Sequence, residues 1–157
     1  MTPDPAVEMP ANVTSLFDGS QLPTKVGATA LLATTTADGW PHLAMLSVGE
    51  IFAPNSTTLR LALHAASGTT HAIEETGQAL LLVVVDQVAT RVRMRVRPAH
   101  ATREDNGKTA YFFADVVDVV EDRAAYARLV SGITYELLDP DATVAMWREK
   151  LEVLKAL

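Results

Sequence analysis

The chain has 157 residues, enough for one domain with a substantial core. Its 48% hydrophobic and 20% charged residues are an ordinary globular balance, and a net charge of −6 disfavours bulk attraction to nucleic acid or to an anionic membrane surface. The absence of cysteine excludes disulfides, thiolate metal sites and thiol catalysis, and it fits a cytoplasmic location.

Met1 to Pro10 carries three prolines and two acids and reads as a flexible tail before a single domain over 11–157. No positively charged stretch precedes an apolar run there, so no signal peptide is expected. Ala11 to Phe17 is expected to form a short helix ended by Asp18-Gly19-Ser20. Val26 to Thr36, rich in Ala, Leu and Thr, predicts a strand. Asp38-Gly39 predicts a tight hairpin in which both turn residues tolerate positive φ, and Pro41 to Phe52 is then the return strand. Ala53-Pro54-Asn55-Ser56 turns the chain into a strand at Thr58, where Leu59, Leu61 and Leu63 alternate with Arg60, Ala62 and His64.

A cluster of small and hydroxyl residues follows, Ala65 to Thr70, and His71 to Thr76 reads as a short helix with Gly77 just past its end. Ser67, Thr69 or Thr70 is placed to cap that helix. The first amides of a helix lack internal partners and carry the positive end of its dipole, so this turn is a possible anion seat. The plainer alternative is a capped loop that binds nothing.

Gln78 to Asp86, with LLLVVV at its heart, predicts a central strand; its apolar part, Ala79 to Val85, is too short to span a bilayer. After a brief turn, Val88 to Thr102 alternates Arg91, Arg93, Arg95 and Arg97 with Val92, Met94 and Val96, giving one apolar and one guanidinium face. That stripe is either a solvated face paired with acids such as Asp115 or Asp118, or a source of one or two phosphate ligands. Glu104 to Lys108 is a polar turn containing Asn106-Gly107, and Thr109 to Val120 is the next strand. Glu121 to Val130 is expected to be helical, and Asp139-Pro140-Asp141 starts a last helix over Ala142 to Leu157 with an apolar stripe of Val144, Trp147, Leu151 and Leu154. Hairpin-linked strands dominate, which favours a mainly β fold, a closed or partly closed antiparallel barrel with flanking helices outside.

Three segments in this order, LLATTTADGWPHLAMLSVGEI, LRLALHAASGTTHAIEETG and QALLLVVV, resemble the FMN-binding split β-barrel family related to pyridoxamine 5'-phosphate oxidase. The likeness covers most of residues 11 to 121. It implies a homodimer with flavin sites in the clefts between subunits. It also implies that the return strand, His42, Leu43, Ala44, Met45, Leu46 and Ser47, lies along the isoalloxazine ring. The FMN phosphate would then rest on the turn Ser67, Gly68, Thr69, Thr70 and His71, with Arg60 and His64 on the strand before it. Tight FMN binders of the family usually place a Lys or Arg in that turn, where this chain has His71. The C-terminal AMWREKLEVLKAL lacks the basic segment of the oxidase proper, which argues against that specific activity.

No other chemistry stands out. The four histidines lack metal-ligand spacing, Ser47 lacks a nucleophile-elbow setting, and Asp115 and Asp118, three apart, are expected on opposite strand faces. Two readings therefore follow. One is a dimeric FMN-dependent oxidoreductase acting on a small molecule; the other is a non-catalytic barrel for flavin, deazaflavin or haem, or one that has lost its ligand.

Overall fold

The computed structural model describes residues 2, 4–100 and 105–157. Ala101 to Glu104, the end of the expected Val88–Thr102 strand and the start of the Glu104–Lys108 turn, lie outside the described residues, as do Met1 and Pro3 of the expected tail. Among the described residues, three α-helices, α1 (Ala11–Leu16), α2 (Gly68–Thr76) and α3 (Pro140–Ala156), accompany seven strands: β1 (Ala30–Thr35), β2 (Pro41–Leu46), β3 (Ile51–Phe52), β4 (Thr58–His64), β5 (Gln78–Val85), β6 (Val88–Ala99) and β7 (Thr109–Asp122). The strands form one antiparallel sheet in the order β2-β1-β5-β6-β7-β4-β3.

Chain connectivity forces that sheet to curl. Its two edge strands, β2 and β3, are consecutive in the chain, so Leu46 and Ile51 can be at most about 17 Å apart. Seven strands laid flat would hold their edges roughly 29 Å apart. The result is a split antiparallel barrel. Its interior is filled by Leu32, Leu59, Leu61, Leu81, Val92 and Phe112, all fully buried. Ala72 and Ile73 of α2 are buried with them, and α2 contacts β1, β2, β4 and β6. Against β3 and β4 packs α3, through the expected Val144, Trp147, Leu151 and Leu154.

Several boundaries differ from the sequence reading. The expected strand at Val26 starts at Ala30, because Leu22–Lys25 forms a 3-10 turn and Gly27 takes a positive φ of 96°. Only Gly39 of the Asp38-Gly39 pair has positive φ, so the hairpin tip is a type I turn followed by a left-handed glycine, closed by Thr36 N donating to Trp40 O. The expected return strand Pro41–Phe52 breaks at a turn over Ser47–Glu50, and its last two residues pair with β4 instead of β1. Gly49 makes that break possible, since it lies flat against Trp147. The tail is tied down at its end, where Met9 is buried and its amide donates to Ser56 O.

The expected helix over Glu121–Val130 is absent. Glu121 and Asp122 instead extend β7 opposite Thr90 and Ala89, and 123–139 runs without regular structure, largely exposed. A short helix without a buried face has too little to offset its nucleation cost. A bulge at Val117, between the Arg93–Asp118 and Met94–Val116 pairs, also corrects the expectation for Asp115 and Asp118. The extra residue resets the alternation, so both carboxylates share the outer face with the arginines.

Candidate functional site

The split in the barrel brings two distant segments together at one corner. The N-terminus of α2 meets the start of the edge strand β2, and a Cβ on Gly68 would come within 3.3 Å of the His42 imidazole. Among the described residues, β2 pairs only with β1, so half of its backbone polar groups face away from the sheet. Along it the side chains alternate: His42, Ala44 and Leu46 face inward, while Leu43 and Met45 are 63% and 66% exposed on the outer face.

The turn before α2 is held by its own hydroxyls. Ser67 is the N-cap, and its Oγ accepts from Thr70 N at 3.1 Å. The Ser67 hydroxyl donates to Thr70 Oγ1, and the Thr70 hydroxyl donates to His64 O at 2.8 Å. Thr70 is fully buried, so its hydroxyl is structural, contrary to its expected place among the phosphate donors. The first intrahelical bond is His71 N to Ser67 O. That leaves the amides of Gly68 and Thr69 as the donors at the head of the helix. His71 is exposed on the same first turn, and Gly77 closes the other end at φ 65° as expected.

The strand residues before the turn have other engagements. His64 Nδ1 accepts from Ala66 N at 3.2 Å, which leaves the neutral ring's proton on Nε2. Arg60, expected beside the anion seat, instead caps the far helix. Its Nη1 donates to Leu154 O at 2.8 Å and Lys155 O at 3.2 Å, and its guanidinium lies over the rings of Phe52 and Phe113. Ser47 belongs to the β2–β3 corner, where its hydroxyl donates to Glu50 Oε1 at 3.3 Å and its Oγ accepts from Gly49 N.

The corner therefore fits a phosphate in part. The Gly68 amide lies on an exposed, side-chain-free residue that suits close approach of an anion, the Thr69 amide belongs to a buried residue behind it, and a half-buried imidazole stands alongside. A fixed guanidinium or ammonium is missing from the turn, so binding there rests on main-chain donors.

Two features were not anticipated from sequence. Glu50 is largely buried in the β2–β3 corner, and burial raises its pKa above the usual glutamate value despite nearby Lys150 and the Ser47 hydrogen bonds. Its only sequence signal is the Ser47-x-x-Glu50 spacing. The other is a cleft of about 470 Å³ on the outer face, which includes Arg93 and Arg95. The arginine stripe itself divides: Arg97 pairs with Asp115 at 2.5 Å and Arg91 approaches Asp122 at 3.9 Å, as the solvated-face alternative expects, whereas Arg93 and Arg95 have no ion-pair partner among the described residues.

Among known proteins, no family model matches the sequence. Solved structures sharing its architecture include a Lactobacillus delbrueckii protein provisionally named a pyridoxamine 5'-phosphate oxidase (14% identity, 72% of this chain and 93% of that one, TM-score 0.56). HupZ of Group A Streptococcus (14%, 82% and 99%, TM-score 0.54) and an F420 reductase (13%, 71% and 98%, TM-score 0.52) share it as well. The fold is the split barrel of pyridoxamine 5'-phosphate oxidase-like proteins. Within that class, the chain belongs to the family of YclD of Bacillus subtilis, an uncharacterized protein 36% identical over 140 residues, 89% of this chain and 91% of that one.

Proposed function

We propose that the protein is a homodimeric FMN-binding oxidoreductase acting on a small molecule. The observation that carries this reading is the meeting of the Ser67-capped α2 terminus with the exposed edge of β2 at His42 and Gly68. A phosphate on the Gly68 and Thr69 amides would leave a flat ring free to extend along β2. The flavin, when bound, supplies the redox chemistry. The chain's own residues supply amides for the phosphate and an apolar strand for the ring, and they keep water from one ring face. Trp40, Leu43 and Met45, 63 to 71% exposed along β2 and its hairpin, support a second copy closing over that strand.

A deazaflavin is the second candidate. The turn's lack of a fixed cation favours a ligand less dependent on a phosphomonoester, and an F420 reductase shares the fold. Native mass spectrometry of the purified protein separates the cases. FMN retained by a dimer, and a melting temperature raised by added FMN, support the flavin reading. A monomer, or a melting temperature indifferent to FMN, overturns it. In that case a deazaflavin, or a barrel without a ligand, takes its place. No described helix is long and apolar enough to cross a membrane.

A further inference from the structure

Strands β1 and β5 are paired from Ala30–Val83 to Ala33–Leu80 and separate beyond that point. Thr34 and Thr35 on one side, and Gln78 and Ala79 on the other, bound a gap in the sheet, and the outer-face cleft of about 470 Å³ opens there. This volume is in the range of small-molecule sites. Buried Met94 and Thr34 line it, and Thr34 Oγ1, 5% exposed as a residue, has no hydrogen-bond partner among the described residues.

Among the described residues the charged lining is Arg93 and Arg95, two cations together in a chain of net charge −6. They sit two residues apart on one face of β6, their Cα atoms roughly 7 Å apart. Each has an acidic neighbour directly across on β7, Asp118 and Asp115 respectively, yet neither forms an ion pair with it. Both line the cleft instead. Asp115 is instead taken by Arg97, and Asp118 pairs with neither arginine, so among the described residues both guanidiniums are left without a counter-ion, as an anion receptor requires. Ala33, Pro41, Leu80 and Val117 add apolar surface around them, and the Gln78 side chain adds an amide.

We infer that this cleft is a second ligand site, separate from the α2 turn, for a small organic anion whose phosphate or carboxylate sits on Arg93 and Arg95 and whose apolar body lies toward Leu80 and Pro41. The two sites are separated by one strand. Pro41 lines the cleft, whereas its neighbour His42 turns to the opposite face and meets Gly68. The inference does not depend on flavin binding.

Phenyl phosphate and benzoate, with benzyl alcohol as the uncharged control, are titrated into the full-length protein and followed by calorimetry. Saturable binding of an anion but not of the alcohol is expected, with affinity lost roughly tenfold or more in Arg93→Gln/Arg95→Gln. Arg91→Gln, outside the cleft and pairing with Asp122, and Ser67→Ala, at the α2 turn, should leave this binding unchanged. If the double variant fails to fold, Arg95→Lys, which keeps the charge but loses the fork, should still weaken binding. The inference is overturned by absent saturation, by equal loss in Arg91→Gln, or by loss in Ser67→Ala. The last result would move the anion to the α2 turn and leave the flavin reading intact; failure of FMN to bind leaves the cleft intact.

Discussion

Gly68 and His42 are 26 positions apart in the chain, yet a Cβ on the glycine would stand 3.3 Å from the imidazole Cε1. Because Gly68 has ordinary negative φ and occupies the first turn of α2, other residues can take its backbone conformation. Gly68→Val is therefore expected to leave the fold intact and to crowd the corner. FMN affinity, by fluorescence titration, should fall about tenfold, or about 1.4 kcal/mol. Unchanged affinity would show that the flavin phosphate sits elsewhere.

Ser67 ties the same turn together, so Ser67→Ala with Thr69→Ala should both weaken FMN binding and cost stability. Loss of one N-cap is worth about 1 kcal/mol, and urea denaturation should show it as a lower midpoint without a change in slope. A stability loss with no change in FMN affinity would mean that the turn is only structural.

Arg60 gives the opposite pattern. Its guanidinium satisfies two terminal carbonyls of α3 and stacks on Phe52 and Phe113, so Arg60→Ala should destabilise the protein by about 2 kcal/mol. FMN affinity should stay the same. A fall in affinity would return Arg60 to the ligand site.

At the β2–β3 corner, a Cβ on Gly49 would lie 2.0 Å from Trp147 Cγ, and the neighbouring contacts are to Cδ1 and Cβ of the same residue. These atoms belong to the buried root of the indole and cannot swing aside. Gly49→Ala is expected to cost about 3 kcal/mol or more in chemical denaturation, and markedly less when Trp147→Gly, which removes Cβ as well as the indole, is already present. Equal cost in both backgrounds would show that the corner relaxes by another route.

Glu50 makes stability depend on pH in the direction opposite to a paired carboxylate. Burial raises its pKa in the folded protein, so the folded state holds the proton more tightly than the unfolded chain. Below the unfolded value of about 4.3 both states are protonated and Glu50 costs nothing. As pH rises through the folded pKa, ionising the buried group penalises the native state. Glu50→Gln should thus match the wild type near the low end of this window and melt at a higher temperature above it. Parallel melting curves across pH would refute a desolvated Glu50.

Where a pattern is local, the residues alone sufficed. Leu59, Leu61 and Leu63 announced β4, Gly77 marked the end of α2, Ser67 was among the expected caps, and the stripe of Val144 to Leu154 buried as its spacing required. The expectation failed where a local pattern had no tertiary partner or met an unforeseen one. Glu121 to Val130 can be drawn as a helix, but the strand pairing of β6 with β7 claims its first residues and no surface receives the rest. Pro41 to Phe52 alternates like one strand, but Trp147 presses on Gly49 and bends it into two.

The sequence by itself determined the identity of the strands, the capped turn at Ser67 and the two faces of β6, because alternation, capping and glycine conformation act between residues a few positions apart. Only the tertiary structure decided which arginines are paired, where Arg60 is spent, and that Asp115 and Asp118 share a face. Those outcomes depend on a bulge at Val117, on the splaying of β1 from β5, and on α3 ending over β4. Each is a long-range consequence of closing seven strands around one core, which no stretch of neighbouring residues encodes.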